Sequence, residues 1–303
     1  MKLLNLIVDK FFVKQWNIGF ANADIKQIIK DKKFKPVFTW LPAPDINRFF
    51  ADPFIFKNTD GNINVIYEDF SNKDQYGKIS ITTVDQNFKP VITKQILDTG
   101  SHLSYPNVFT ENGKTFIMPE ASLTGNLTVY EYDFDKMALI KKKDIITGLP
   151  LLDSTILKYN NKYWLFATKR GTQSNNELFI YYADKIDGPF TGHKNNPVKN
   201  NLNGSRPAGN FILTDGEIYR PAQNSKLYYG KSISINKITV LTEEKFEEEH
   251  YITISAPKDT SYNYATHTLN FAEDVIVIDG LKRKFIPFAN LTVYLKKIFN
   301  PKR

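Results

Sequence analysis

Asp52, Glu120 and Asp153 each stand at the margin of a short apolar run, in Ala51-Asp52-Pro53-Phe54, Met118-Pro119-Glu120 and Leu152-Asp153-Ser154-Thr155. Two carboxyl groups flanking one bond are what glycoside cleavage requires, one to protonate the leaving oxygen and one to act as base or nucleophile. Arg206 and Arg220 suit an anionic substituent, a phosphate or a carboxylate, through forked hydrogen bonds, and would lower the pKa of a neighbouring carboxyl group. His267 reads as a channel histidine that could hold a water or a cation. Each residue also has a plainer reading. Asp52 and Asp153 can start a strand, Glu120 can be merely exposed, and Arg206 can pin one of the acids. No position is specific by itself; the case rests on their placement relative to one another.

That placement depends on a repeat. Five similar segments recur about every 50 residues, carrying Asp52, Tyr105, Asp153, Arg206 and His267 near the start of a strand-like run. A period in this range signals a β-propeller, one four-stranded blade per repeat around an axis. The expected fold is therefore all-β, a five-bladed β-propeller, with these five residues at one mouth of the channel. Each run is followed by a turn such as Asn58-Thr59-Asp60-Gly61, Glu111-Asn112-Gly113 or Thr214-Asp215-Gly216 and then a second apolar run. Asp-Gly and Asn-Gly between apolar runs are hairpin signals. Second strands run back to the mouth, which adds Glu68, Glu120, Arg220 and Gln223 there, with Lys169 and Arg170 in a similar position. Third strands are expected near residues 78–82, 127–132, 178–182 and 229–234. Residues 25–33 suit a short helix, and residues 37–40 a strand that closes the ring. No Ser/Gly/Pro-rich linker divides the chain, so residues 1–290 are read as one propeller with an N-terminal extension.

Composition supports a large β core: 303 residues, 42% hydrophobic, with 23 Phe and 16 Tyr. The chain has no cysteine, which excludes a disulfide framework and a thiolate zinc site. Four dispersed histidines lack metal-ligand spacing, and there is no Gly-rich nucleotide loop or nucleophile elbow, so neither a metal nor a cofactor is demanded, though the axis near His267 has room for calcium or water. The net charge of +8 favours anionic partners or simple solubility. The lysines are scattered and no nucleic-acid module is present, which argues against nucleic acid. The first ten residues are too short an apolar run for a signal peptide, and no stretch is long enough to span a bilayer, so the expected location is cytoplasmic. Residues 291–303, with Lys296, Lys297, Lys302 and Arg303 among Leu291, Tyr294, Leu295, Ile298 and Phe299, form a basic amphipathic tail. Such a tail can rest on an anionic membrane surface or pack on the propeller's rim. Oligomeric state is not legible.

Taken as a set, several motifs resemble one family. They are Phe50-Ala51-Asp52-Pro53-Phe54, His102-Leu103-Ser104-Tyr105-Pro106, Met118-Pro119-Glu120, Leu152-Asp153-Ser154-Thr155, Gly188-Pro189-Phe190 with His193, and Asn196-Pro197-Val198. Ser205-Arg206-Pro207-Ala208-Gly209 and Tyr219-Arg220-Pro221-Ala222-Gln223 with Tyr229-Gly230 complete the set. From about Trp16 to Asp279 the chain resembles the N-terminal propeller of plant glucosamine inositolphosphorylceramide transferases and related bacterial proteins, itself similar to glycoside hydrolase family 43. In family 43 an Asp of the first blade is the base, a second Asp tunes pKa and a Glu is the acid. Asp52 matches the first. Glu120 and Asp153 come in exchanged order, on the second and third blades. The resemblance implies that the plant proteins' glycosyl transfer belongs to a separate domain, and that this chain carries the propeller alone.

Two functions follow as expectations. The first is a family-43-like glycosidase or transglycosylase acting on a glycan or glycolipid, with Glu120 as acid, Asp52 as base and Asp153 tuning them. Here His102, Tyr105, Arg206, Arg220, Gln223, Glu68 and His267 bind the substrate. The alternative is a non-catalytic glycan-binding or scaffold propeller in cytosolic polysaccharide or glycolipid biosynthesis.

Overall fold

In the computed structural model, which describes residues 12–58 and 60–285, five antiparallel sheets are arranged as the blades of a propeller. The first blade runs outward from the axis as Arg48–Lys57, Ile63–Ser71, Tyr76–Val84 and Pro90–Leu97, and the second as Ser104–Glu111, Lys114–Glu120, Leu127–Asp133 and Ala138–Ile146. The third comprises Leu151–Tyr159, Lys162–Lys169 and Glu177–Ala183, its outer edge completed by Thr191–Gly192 and Lys199–Asn200. In the fourth the inner strand is broken into Asn203–Pro207 and Ile212–Thr214, followed by Glu217–Asn224, Ser232–Leu241 and Phe246–Ser255.

The fifth blade closes the ring with both ends of the described chain. Its order from the axis is Leu269–Ala272, Val275–Phe285, Phe12–Asn22, Thr39–Trp40. Thr39–Trp40 is indeed a strand, but only a two-residue outer edge. The closing element is Phe12–Asn22, which pairs with Val275–Phe285 from Phe12↔Phe285 to Asn22↔Val275. Repeat logic misses this strand because it lies some 250 residues from its blade. A short helix, α1 (Ile25–Asp31), follows it, capped by the Asp24 side chain accepting from the Lys26 amide at 2.8 Å. It buries Ile25, Ile28 and Ile29 against the fourth and fifth blades. Residues 291–303 lie outside the described residues, as do residues 1–11 of the N-terminal extension.

Apolar side chains fill the spaces between blades, as in the cluster of Phe54, Ile66, Ile79, Ile81, Val108 and Ile117 between the first two. The axis is polar. Below the mouth, Asn107 donates to the Asn210 side chain at 2.7 Å, Asn210 donates its amide to Asn270 at 2.8 Å, and Asn270 donates to the Pro53 carbonyl at 2.7 Å. Asparagines of three blades thus hydrogen-bond to one another across the centre, satisfying polar groups that burial would otherwise penalise.

Candidate active site

The first three blades share one local device. Pairing slips by one residue between Ala51 and Phe54, between Ser104 and Asn107, and between Leu152 and Thr155. At each slip a non-glycine residue takes positive φ: Asp52 at 51°, Tyr105 at 39° and Asp153 at 49°. An extra residue in one strand makes a β-bulge, which re-aims a side chain and disturbs the ladder. The backbone cost is about 1–3 kcal/mol per residue. The freed amides are received by carboxyl groups of the preceding blade. Asp52 N donates to Asp279 Oδ2 at 3.4 Å, Tyr105 N to Asp52 Oδ2 at 3.3 Å, and Asp153 N to Glu120 Oε2 at 3.0 Å. The acids of the mouth are therefore also ties between neighbouring blades.

Asp52, Asp153, Glu68 and Glu120 are all buried, and each is balanced differently. Burial would raise Asp52, but the facing His267 charge and hydrogen bonds from His267 and Thr268 hold it below the ordinary carboxyl value. His267 Nε2 lies 3.2 Å from Asp52 Oδ1, and its Nδ1 lies 2.7 Å from Asp279 Oδ2. Burial disfavours the imidazolium, yet Asp279, Tyr229 and Asp52 together push its pKa well above the usual histidine value. Asp52, His267 and Asp279 have ligand atoms within 4.8 Å of one another, a spacing open to a cation. Asp52 and Asp279 flank the imidazole, one at each ring nitrogen.

Asp153 is held by Arg206, with Nε at 2.5 Å from Oδ2 and Nη2 at 3.2 Å from Oδ1, and by Gln223 Nε2 at 2.8 Å from Oδ2. Arg206 also donates to Asn175 at 3.2 Å and lies 5.4 Å from the Tyr229 ring centre. Glu120 has no cation of its own. It accepts from Asp153 N and from Ser122 Oγ at 2.9 Å, and burial together with the Asp153 charge raises its pKa to about 8. Burial, with repulsion from Asp52, Glu120 and Asp153, keeps Glu68 well above the carboxyl range. His102 faces it, Nε2 to Oε1 at 3.8 Å, while His102 Nδ1 accepts the Gly77 amide at 3.0 Å. Burial and Arg170 lower the His102 pKa, so this imidazole is neutral with its proton on Nε2. The mouth thus pairs Asp52 and Asp153 with cationic partners, while burial raises Glu68 and Glu120, which have none.

Two residues expected to bind substrate do something else. Tyr105 is 0% exposed; its hydroxyl meets Thr155 Oγ1 at 2.8 Å and accepts the Gly209 amide at 2.6 Å. Although it shares its bulge with Asp52 and Asp153, its ring packs in the core against Phe54, and its hydroxyl links the second, third and fourth blades. Arg220 is 1% exposed and forms a bidentate pair with Glu248, which Lys199 also contacts at 2.6 Å; it donates to the Gly204 and Ser205 carbonyls as well. Side chains alternate along a strand, so Gln223, three positions on, faces the mouth and Arg220 does not.

Three participants were not foreseen. Asp279 lies within the second strand of the fifth blade and joins the mouth from it, as Glu68 and Glu120 do from theirs, so the same rule reaches it. Trp16 and Tyr229 flank His267, with ring centres at 4.3 Å and 5.3 Å. Tyr229 is 43% exposed, an aromatic face at the mouth. Gly230, at φ 65°, lets this chain pass close to the histidine: a Cβ there would lie 2.9 Å from His267 Cβ. No signal marked Trp16, because its strand stands outside the repeats.

Comparison with known proteins agrees with this architecture. The family described as glucosamine inositolphosphorylceramide transferase 1, N-terminal, matches residues 36–271. Glucosamine inositolphosphorylceramide transferase 1 of Arabidopsis thaliana is 33% identical over 209 residues, covering 67% of this chain and 27% of that protein. Its Oryza sativa subsp. japonica counterpart is 31% identical over 208 residues, covering 67% of this chain and 28% of that one. The match thus spans little more than a quarter of these relatives. Among solved structures, a family 117 glycoside hydrolase from Zobellia galactanivorans aligns over 91% of this chain and 92% of its own, with TM-score 0.55 and 12% identity. A thermostable family-43 glycoside hydrolase aligns over 74% of this chain and 84% of its own, with TM-score 0.55 and 15% identity. These last likenesses establish the fold.

Proposed function

The chain belongs to the family of glucosamine inositolphosphorylceramide transferase N-terminal propellers, and from that premise we propose that it is a carbohydrate-active enzyme of glycosidase or transglycosylase type. The observation that carries the reading is the split among the mouth's acids. Glu120 keeps its proton to about pH 8, whereas His267 holds Asp52 ionised. An acid able to give a proton and a base able to take one are what the cleavage of a glycosidic bond needs. Asp153, locked by Arg206 and Gln223, raises Glu120 and so tunes it. Tyr229 offers a stacking face for a sugar ring, with Arg206 a polar contact beside it and His102 a second polar group next to Glu68.

A second reading is supported by the same ion pairs. Asp52 and Asp153 both have a cationic partner already, as the walls of a rigid binding ring would. In that case the propeller binds a glycan or glycolipid and leaves the chemistry to another protein or domain. A panel of labelled glycosides, assayed for binding and turnover with wild type, Asp52→Asn, Glu120→Gln and Arg206→Ala, separates the two. The enzyme reading expects turnover that falls about 10²–10⁴-fold in the carboxylate variants with binding retained. Binding without turnover in the wild type, weakened most by Arg206→Ala, would establish the second reading instead.

A further inference from the structure

The loops that surround the mouth expose apolar side chains that the chemistry above does not use. Leu227 is 78% exposed, Leu123 55% and Ile46 50%, in loops of the fourth, second and first blades. Single exposed apolar residues need no explanation, but a set ringing one opening does. Interleaved with them are Lys73, Arg170, Lys226 and Lys258, all exposed and none within salt-bridge distance of an acid among the described residues. Asp45 and Asp259 are the exposed acids of these loops that lack a basic partner. At the opposite face several turn lysines are neutralised, Lys57 by Glu273, Lys136 by Asp133 and Lys162 by both Asp184 and Glu243, while Lys26, Lys30, Lys33 and Lys35 in and after α1 have no acidic partner among the described residues.

The fifth blade extends this surface. Asp279 stands at the mouth, and beyond the packed residues 280–281 and 16–17 the paired segments 282–285 and 12–15 continue as a two-stranded ribbon. That ribbon carries Lys282 and Lys284, and the described residues end at its tip. We propose that the mouth face is a docking surface for an anionic phospholipid bilayer. Leu123, Leu227 and Ile46 enter the interface, and the loop and ribbon lysines lie against the headgroups. Apolar insertion combined with charge attraction is how peripheral proteins hold a membrane surface. The orientation turns the acid-lined opening toward the lipid headgroups, so a ligand anchored in that bilayer could reach it without leaving it.

The test is flotation of the full chain with phosphatidylcholine vesicles, with and without phosphatidylserine, at low and raised salt. The wild type is expected to float only with phosphatidylserine and to be released by salt. Lys226→Glu and Lys258→Glu should each weaken partition about fivefold or more, in line with roughly 1 kcal/mol per basic residue near the surface. Leu123→Ser combined with Leu227→Ser should weaken it at both salt concentrations. Lys26→Glu with Lys30→Glu, on α1 at the opposite face, serves as the control and should change nothing. Circular dichroism establishes that each variant is folded. No flotation of the wild type with phosphatidylserine, unchanged flotation of the mouth variants, or loss confined to the α1 variant would each overturn the proposal. Binding of soluble glycans in the absence of vesicles reads the site independently of this surface.

Discussion

The proton on Glu120 is where the acid–base reading meets measurable stability. In the unfolded chain this carboxyl ionises near 4.5, whereas burial beside Asp153 delays ionisation to about 8 in the folded protein. Between those values the native state binds a proton that the unfolded chain has lost, so this group makes stability fall as pH rises across the window. Glu120→Gln removes the contribution. Its stability in urea relative to wild type should therefore increase from about pH 5 to about pH 8. A parallel pH dependence of the two proteins would show that Glu120 does not carry the proton. On the enzyme reading, turnover of a substrate with a poor leaving group should decline above about pH 8, as the acid form disappears. Glu120→Gln should hurt an activated leaving group less, because such a group needs little protonation. The Asp52–His267 pair runs with opposite signs. The contribution of His267 is complete below its ordinary value and is lost as pH rises through its raised one. That of Asp52 is present above its ordinary value and is lost as pH falls through its lowered one.

At the scale of the element, the fourth blade depends on a buried ion pair. Arg220, in its second strand, holds Glu248 of its outermost strand and the carbonyls of Gly204 and Ser205 in its inner one. Arg220→Ala leaves Glu248 buried with only Lys199, and a loss of about 3–5 kcal/mol in urea unfolding is expected. Glycan binding by the folded fraction should be unchanged, an outcome a ligand-binding arginine would not give. Tyr105 acts similarly across blades. Tyr105→Phe removes the acceptor of the Gly209 amide and the partner of Thr155, with an expected cost of about 1–3 kcal/mol. Replacement of Gly209 itself is not tolerated: at φ 134° its added Cβ would lie 1.9 Å from the Leu269 carbonyl oxygen.

For the whole molecule, closure of the ring decides stability. Phe12–Asn22 pairs along its entire length with Val275–Phe285, and buries Ile18 and Phe20 against the first blade. Removing residues 1–22 would expose the edge of a long strand and open the fifth blade, which also carries His267 and Asp279. The truncated chain is expected to lose cooperative unfolding in urea and to aggregate, and a synthetic peptide of residues 12–22 should restore the transition. Cooperative unfolding of the truncated chain with an unchanged midpoint would contradict that role.

Local sequence was enough for what repeats. The turn–strand periodicity defined five blades, and the polar residue opening each inner strand pointed to one mouth. Asp52, Glu120, Asp153, Arg206, Gln223 and His267 meet there because they occupy corresponding positions in similar units. What the repeat could not supply was the direction of each side chain and the partner it meets across blades. Tyr105 shares the bulge of Asp52 and Asp153, yet its longer aromatic side chain packs in the core, and strand alternation turned Arg220 away from the opening. Asp279 acquires its role only when the fifth blade is folded against the first, and Trp16 only when the N-terminal strand closes the ring. The protonation of Glu120 and Glu68 likewise arises from burial among other carboxylates contributed by separate blades. Spacing along the chain reports position within a repeat, whereas contact and charge depend on neighbours that only ring closure brings together.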